Sequence, residues 1–549
     1  VDTPEQNHSS TPPPTSQAEA PKKSSSGMMF VILFLIACLA GAAIWLLMSG
    51  QKNNPTVQKQ AKADIVVIGI KSAPLGFYGQ KKIEYENPTF NFNANIFEGL
   101  TTFNKDLKFA SRQLVESWDN PNDTTWRIRL RKGVKFHSGD DFTAEDAKYS
   151  IDFAKTYVVQ DDLSAVKSVK IIEPYTIEIT TNGPAPLLLN NLINAYVISK
   201  KYTDAHGFDS PNGTGPYKFV SKNGNEYKLV ANESYYLGAP PIKNAIYHVI
   251  EDNDQRVDAL LSQKVDLIED VPSSRVQDIE KNSAVEFRGA PSLRVIYLGM
   301  DVSSAKTKYS SASANPFKKL EVRQAIYKAI DEDEIVKNVM GSHAYPANQP
   351  ATTVNFGFNP TIIRPAYDPV GALKLLTDAG YPNGFDIVLD LPNNRYQNDE
   401  AIGKTVVQQL AKVGIKVTLN ALPKDQYFDK VLGPNYDTSF YLLGWSQDNG
   451  DAGGAYGTLI HARDAKSGYG GFNIGNFNSK PVNQLIEQSD KVVDSVQRLK
   501  LLQQLAEETM KEVPIIPLHQ QEDSYANNKR FSWTPRRDNG IRATEIYLQ

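Results

Sequence analysis

Two periods of hydrophobicity follow one another between Trp126 and Ile151. Trp126, Ile128 and Leu130 alternate with Arg127, Arg129 and Arg131, the spacing of a strand with one apolar and one basic face. Gly133 and Gly139 then punctuate turns, and Thr143 follows as an N-cap with Asp146 placed to reach back in a capping-box-like arrangement. The pattern predicts a helix from Ala144 to Ala154. Alternation over Asp64 to Ile70 predicts an earlier strand. Further on, Asp368 and Pro369 open a helix through Leu373, Leu376 and Ala379 that Gly380 closes, and a helix at Val322 turns Ala325, Ile326, Ala329 and Ile330 inward. Phe385 to Leu391 predicts a strand, Asp399 to Val413 a helix ended by Gly414, and Ile415 to Leu422 another strand. A βαβ unit of this kind gives a parallel pair with the helix packed across it, and ligands lie near the carboxyl ends of such strands. No internal repeat is present, and from Asp64 onward the pattern is mixed α/β.

One apolar stretch has no period. Met28 to Met48 is uninterrupted and long enough to cross a bilayer as a helix. Lys22 and Lys23 flank it on the amino side, so the positive-inside rule puts residues 1–27, a tail rich in Ser, Pro, Gln and Thr, in the cytoplasm and the large domain outside. A second reading stays open, because Leu35-Ile36-Ala37-Cys38 matches a bacterial lipobox; against it, the apolar run continues past the cysteine. Either way the same domain is tethered to the outer face of a membrane, through a polar linker over residues 49–63.

Composition narrows the classes. A chain of 549 residues, 41% hydrophobic and 22% charged, is ample for two or three packed domains. Its formal charge of -3 gives no global field that would argue for nucleic acid. A single cysteine, Cys38, excludes an internal disulfide framework and a multi-cysteine metal centre. The seven histidines show no metal-ligand spacing, and there is neither HExxH nor G-x-S-x-G. The Gly-rich run Gly450 to Gly457 lacks the lysine of a phosphate-binding loop. No catalytic residue and no cofactor are expected.

The wording LRKGVKFHSGDDFTAEDAKYS, together with GTGPYKFV from Gly213, NESYYLGAPPIKNAIYHVIEDNDQRVDALLSQKVDLIE from Asn232, VRQAIYKAID from Val322 and YDPVGALKLLTDAGYPNGF from Tyr367, resembles the extracytoplasmic solute-binding proteins of peptide and nickel ABC importers, family 5. The resemblance implies a two-lobed, periplasmic-binding-protein-like fold of the large peptide-binding class, preceded here by one transmembrane helix. It implies lobe one over residues 64–294 with an extra subdomain at about 91–210, lobe two over 295–520, and a C-terminal segment, 521–549, returning to lobe one. The crossings between lobes would fall near Val295 to Asp301 and Pro514 to Gln520. Implied partners are a short peptide and the permease of an ABC importer, with the protein a membrane-tethered monomer outside the cell.

The resemblance also implies a site. In peptide-binding relatives the loop after the strand matching Phe440 to Leu443 carries a tryptophan and, three residues on, an aspartate that takes the ligand's free amino group; here these are Trp445 and Asp448. A buried ammonium needs such a partner. Asp451, in the same loop, is a weaker substitute. In the dipeptide-binding subgroup an arginine after a strand of lobe two receives the α-carboxylate, and Arg395 occupies that loop, with Tyr396 where a proline often stands. The planar guanidinium pairs bidentately with a carboxylate and stays charged when desolvated. Tyr396 and Tyr456 are further candidates for stacking or hydrogen bonding, and His461 is a candidate for a nickel site. Dipeptides are the favoured ligand. Oligopeptides, a nickel chelate, an oligosaccharide or an opine are alternatives within the fold, a peptide-sensing receptor is one from another class, and a peptidase lacks an evident nucleophile or metal.

Overall fold

The structure, a computed structural model, describes residues 64–79, 87–110, 113–160, 162–433, 436–447 and 449–549. The apolar run Met28 to Met48 and Cys38 lie outside these residues, as does Asp448. Among the described residues no helix is long and apolar enough to cross a membrane.

The strand and helix expected around Trp126 form and pack on each other. The strand Thr125–Leu130 buries Trp126, Ile128 and Leu130 against Ala147, Ile151 and Ala154 of the helix Ala144–Tyr157, the alternate face of one meeting the i, i+4, i+7 stripe of the other. The helix start is fixed as its sequence predicts: Asp146 accepts hydrogen bonds from the Thr143 amide at 3.0 Å and its hydroxyl at 3.1 Å. The same carboxylate accepts the Lys200 amide at 3.0 Å, which ties the helix N-terminus to a distant segment, and the helix runs on to Tyr157. Thr125–Leu130 lies inside a four-stranded antiparallel sheet with Val115–Asn122, Thr176–Thr181 and Val166–Glu173.

An eleven-stranded sheet carries the rest. At one side the βαβ unit appears as read: Asp386–Pro392 and Lys416–Leu422 pair in parallel from Asp386 opposite Lys416 to Pro392 opposite Leu422. The intervening helix Asp399–Ala411 buries Ile402, Val406 and Leu410 in a core shared with Ile387, Leu389 and Leu391. Gly403 permits that approach, since a Cβ there would lie 2.7 Å from Leu391 and 2.9 Å from Leu419. Phe440–Ser446 joins Asp386–Pro392 in parallel. At the other side Ile65–Ile70 lies parallel to both Asn244–Val249 and Leu267–Glu269, over a second core that includes Val66, Ile68, Tyr217 and Tyr247.

Two long antiparallel strands join these halves, Val285–Met300 and Ile515–Asn528. Their register breaks between Pro291, opposite Glu522, and Val295, opposite Gln520. The extra residues form a bulge holding Ser292, Leu293 and Arg294, in which the Ser292 hydroxyl accepts the Arg294 amide at 3.0 Å. A bulge bends a strand and re-aims its side chains. Beyond it, Arg294 to Met300 pairs with Phe440–Ser446, so the chain passes from one half of the sheet to the other at this point.

Candidate functional site

The strand Phe440–Ser446 carries Trp445 out of the core at its carboxyl end. Phe440 to Leu443 are buried, while Gly444, Trp445 and Ser446 are half-buried. Trp445 lies 5.2 Å from the ring of Phe472, tilted to it, and its indole N–H donates to the Gln447 Oε1 at 3.4 Å. Gln447 donates in turn to the Asn449 side chain at 2.6 Å. Segments far away in sequence hold the loop: Asn190 donates to the Asn449 carbonyl at 2.9 Å, and Gly450, at φ +74°, faces Phe103, whose ring would sit 2.9 Å from an added Cβ. A cavity of about 430 Å³ opens beside this contact, lined in part by Phe103, Leu107, Asn190, Phe356 and Gly450.

Arg395 reaches the same neighbourhood from the adjacent parallel strand. Its loop is fixed by Asp399, whose carboxylate accepts the amides of Arg395 and Tyr396 at 3.0 Å each and that of Glu400 at 2.9 Å. One acidic side chain in the first turn of the helix thus favours its N-terminus and shapes the loop before it. The Arg395 guanidinium lies 5.1 Å from the centroid of the Tyr396 ring. Tyr396 is 7% exposed, and its ring edge and the Arg294 stem both pack over Gly444, at 2.8 and 3.0 Å from where a Cβ would stand. Any larger residue at 444 would push the tyrosine and Arg294 apart.

The surface of Arg395 is open to solvent, yet the protein around it, and after that the neighbouring positive charge of Arg294, hold its guanidinium below the usual arginine range. Among the described residues neither Arg294 nor Arg395 has an ion pair or a side-chain hydrogen bond. A crowded cation with no counter-ion is a poor contributor to stability, and it is what a site awaiting an anion contains. Arg294 carried no signal in the sequence: it is a lone polar residue ahead of an apolar run, and only the pairing of its strand with Phe440–Ser446 brings it to Tyr396 and Arg395.

The other expected residues separate. Asp451 is 2% exposed and fully committed, accepting the Gly453 amide at 2.8 Å as cap of the helix Ala452–Leu459 and pairing with both terminal nitrogens of Arg498, one at 2.9 Å. Its charge is already neutralised by Arg498 and shielded by burial. Tyr456 lies in that same helix with no exposed surface, in a core with Leu459, Ile486 and Leu502. It does not join Trp445, Tyr396 and Arg395. The Gly-rich run around it is a buried helix. His461 is also buried, stacked on Tyr469 at 4.2 Å and bonded to the Ala462 carbonyl at 2.6 Å and Glu487 at 3.3 Å. Among the described residues no three metal-binding side chains converge.

Residues 110–467 match the family model of bacterial extracellular solute-binding proteins, family 5. The chain is 27% identical over 459 residues to the glutathione-binding protein GsiB of Pectobacterium atrosepticum, covering 80% of this chain and 85% of that protein. In fold it is similar to HbpA2 from Haemophilus parasuis, with a TM-score of 0.76 and 22% identity over 88% of this chain and 100% of the other. It is also similar to a dipeptide-binding protein from Pseudoalteromonas sp. SM9913 in complex with Met-Leu, with a TM-score of 0.68 and 19% identity over 88% of this chain and 100% of the other.

Proposed function

Because this chain belongs to the bacterial extracellular solute-binding proteins of family 5, we propose that it captures short peptides, dipeptides foremost, and delivers them to the permease of an ABC importer. The observation that carries the reading is Arg395: its backbone amide is held by Asp399, its guanidinium lies over the Tyr396 ring, and it is exposed and without a carboxylate of its own among the described residues. It would receive the ligand's α-carboxylate. Asp448 keeps the part that the resemblance assigns to it, neutralising the free amino group, and Trp445 walls the space between. The two charged groups would then measure peptide length. Side chains of the ligand would enter wet, permissive space, which suits a protein that accepts many sequences. The relative named for binding glutathione, itself a short peptide, supports a ligand of this size.

Closure of two lobes would couple capture to delivery. We place lobe one at residues 64–294 and 521–549 and lobe two at 295–520, with the long paired strands as the hinge region. A peptide held by lobe two would recruit lobe one through contacts made only when closed, and those differential contacts set the population shift. The apolar run Met28 to Met48 would keep the protein beside its permease.

Calorimetric titration of the full chain with Ala-Phe tests the reading. N-acetylation of the dipeptide, or amidation of its carboxylate, should each weaken binding by about tenfold or more, the range for a lost hydrogen bond to a charged group. Equal affinity for the free and doubly blocked peptides would contradict it.

A further inference from the structure

Arg294 stands where the two long strands lose register, on the bulge between Pro291 and Val295. Its backbone is held by Ser292, and the neighbouring Leu293 packs with Phe103 and Leu107. Its stem packs over Gly444 beside the edge of Tyr396, and the guanidinium of Arg395 lies against that same tyrosine. We infer that Arg294 and Arg395 form one anion pole with two arms, and that the protein therefore prefers peptides whose C-terminal residue is Asp or Glu. The inference rests on the peptide reading above and names its ligand class more closely.

Two fixed cations side by side repel, and no acidic side chain among the described residues pairs with either of them. Among the described residues other buried arginines are satisfied, Arg498 by Asp451, Arg536 by Asp538 and Glu545, Arg364 by Glu332, and Arg256 and Arg323 by backbone carbonyls. One α-carboxylate can take one guanidinium in a bidentate pair. It leaves the second cation desolvated and unpaired once a ligand covers the site, which is costly. A C-terminal acidic residue brings a second carboxylate a few bonds away and pairs both. A C-terminal amide residue of the same shape supplies only a neutral oxygen to the second arm. Regular pairing on the other side gives Arg294 its direction: it stands opposite Ser446 and two residues before Ile296, opposite Gly444, so both side chains share the face over Gly444 where Tyr396 lies.

The test is calorimetric titration of the full chain with Ala-Glu and with Ala-Gln, which differ in one charge and hardly in shape. The wild type should bind Ala-Glu about tenfold more tightly, as expected for a charge-assisted bond against a neutral one. In Arg294→Gln the ratio of the two affinities should fall to near one. Equal affinities in the wild type, or a preference that persists in Arg294→Gln, would overturn the inference while leaving peptide capture intact. The wild-type comparison stands even where the variant folds poorly. Failure of the wild type to bind either dipeptide, or Ala-Phe, would remove the peptide reading itself and this inference with it.

Discussion

Arg395 and Asp451 are both charged residues near one loop, and their surroundings predict opposite phenotypes. Arg395 is exposed and makes no ion pair among the described residues, so Arg395→Gln should leave thermal unfolding nearly unchanged and weaken dipeptide binding by about tenfold to a hundredfold. Asp451 is buried and pairs with Arg498 while capping a helix, so Asp451→Ala leaves a buried guanidinium alone and should destabilise the fold by about 3–5 kcal/mol. Denaturation and titration run on both variants separate the roles; a stable Asp451→Ala or an unfolded Arg395→Gln would contradict them. His519, in the second long strand, gives a pH dependence. It has no exposed surface and no partner for either ring nitrogen among the described residues, and burial pulls it down to about 4. The unfolded chain therefore binds the proton more readily, and stability is fully present above about pH 6.5 and is lost as pH falls toward 4. The shift corresponds to about 3 kcal/mol. Chemical denaturation of the wild type and His519→Leu between pH 4 and 7 should show the wild type losing more stability on acidification; parallel curves would rule out His519 as the cause.

Elements position these residues, and the Asp399 carboxylate is the clearest case. It holds the amides of Arg395, Tyr396 and Glu400, so Asp399→Ala should cost about 1–3 kcal/mol of stability, as for lost hydrogen bonds to a charged group, and should also weaken dipeptide binding by letting the arginine wander. Asp399→Asn, which keeps an acceptor oxygen, should recover part of both; a variant that loses stability but binds normally would detach the loop from the site. Elements of this kind were legible because local chemistry dictates them: the alternation at Trp126, the Thr143–Asp146 start and the βαβ unit all follow from neighbours in sequence. Arg395 and Trp445 could be singled out because each follows a readable strand and matches the family's wording. Arg294 could not, since its place beside Tyr396 comes from pairing with Phe440–Ser446, a strand far along the chain. The burial of Tyr456 is not legible for a related reason. Its glycine-rich surroundings look like a loop, while a cap from Asp451 and a partner from Arg498 make them a buried helix.

At the scale of the whole molecule, the two halves of the large sheet are joined through paired strands whose register breaks beside Arg294 and whose continuation carries the Trp445 strand. A site built there would be assembled by closure, so saturating dipeptide should reduce the radius of gyration measured by small-angle scattering on the protein, and Arg395→Gln should need more peptide to reach the same compaction. Tethering belongs to this scale too. If the proposed transmembrane anchor holds, mass spectrometry of the membrane-extracted chain should find residues 1–27 retained and Cys38 unmodified; loss of that tail with a lipid mass on Cys38 would replace that proposal by a lipid anchor. The most direct test of the central claim is native mass spectrometry of the purified full chain, with gentle release and sequencing of whatever travels with it. The account predicts short peptides with free termini, enriched in C-terminal Asp or Glu and absent from Asp448→Asn. A nickel chelate or a sugar in their place, confirmed by titration, would contradict it.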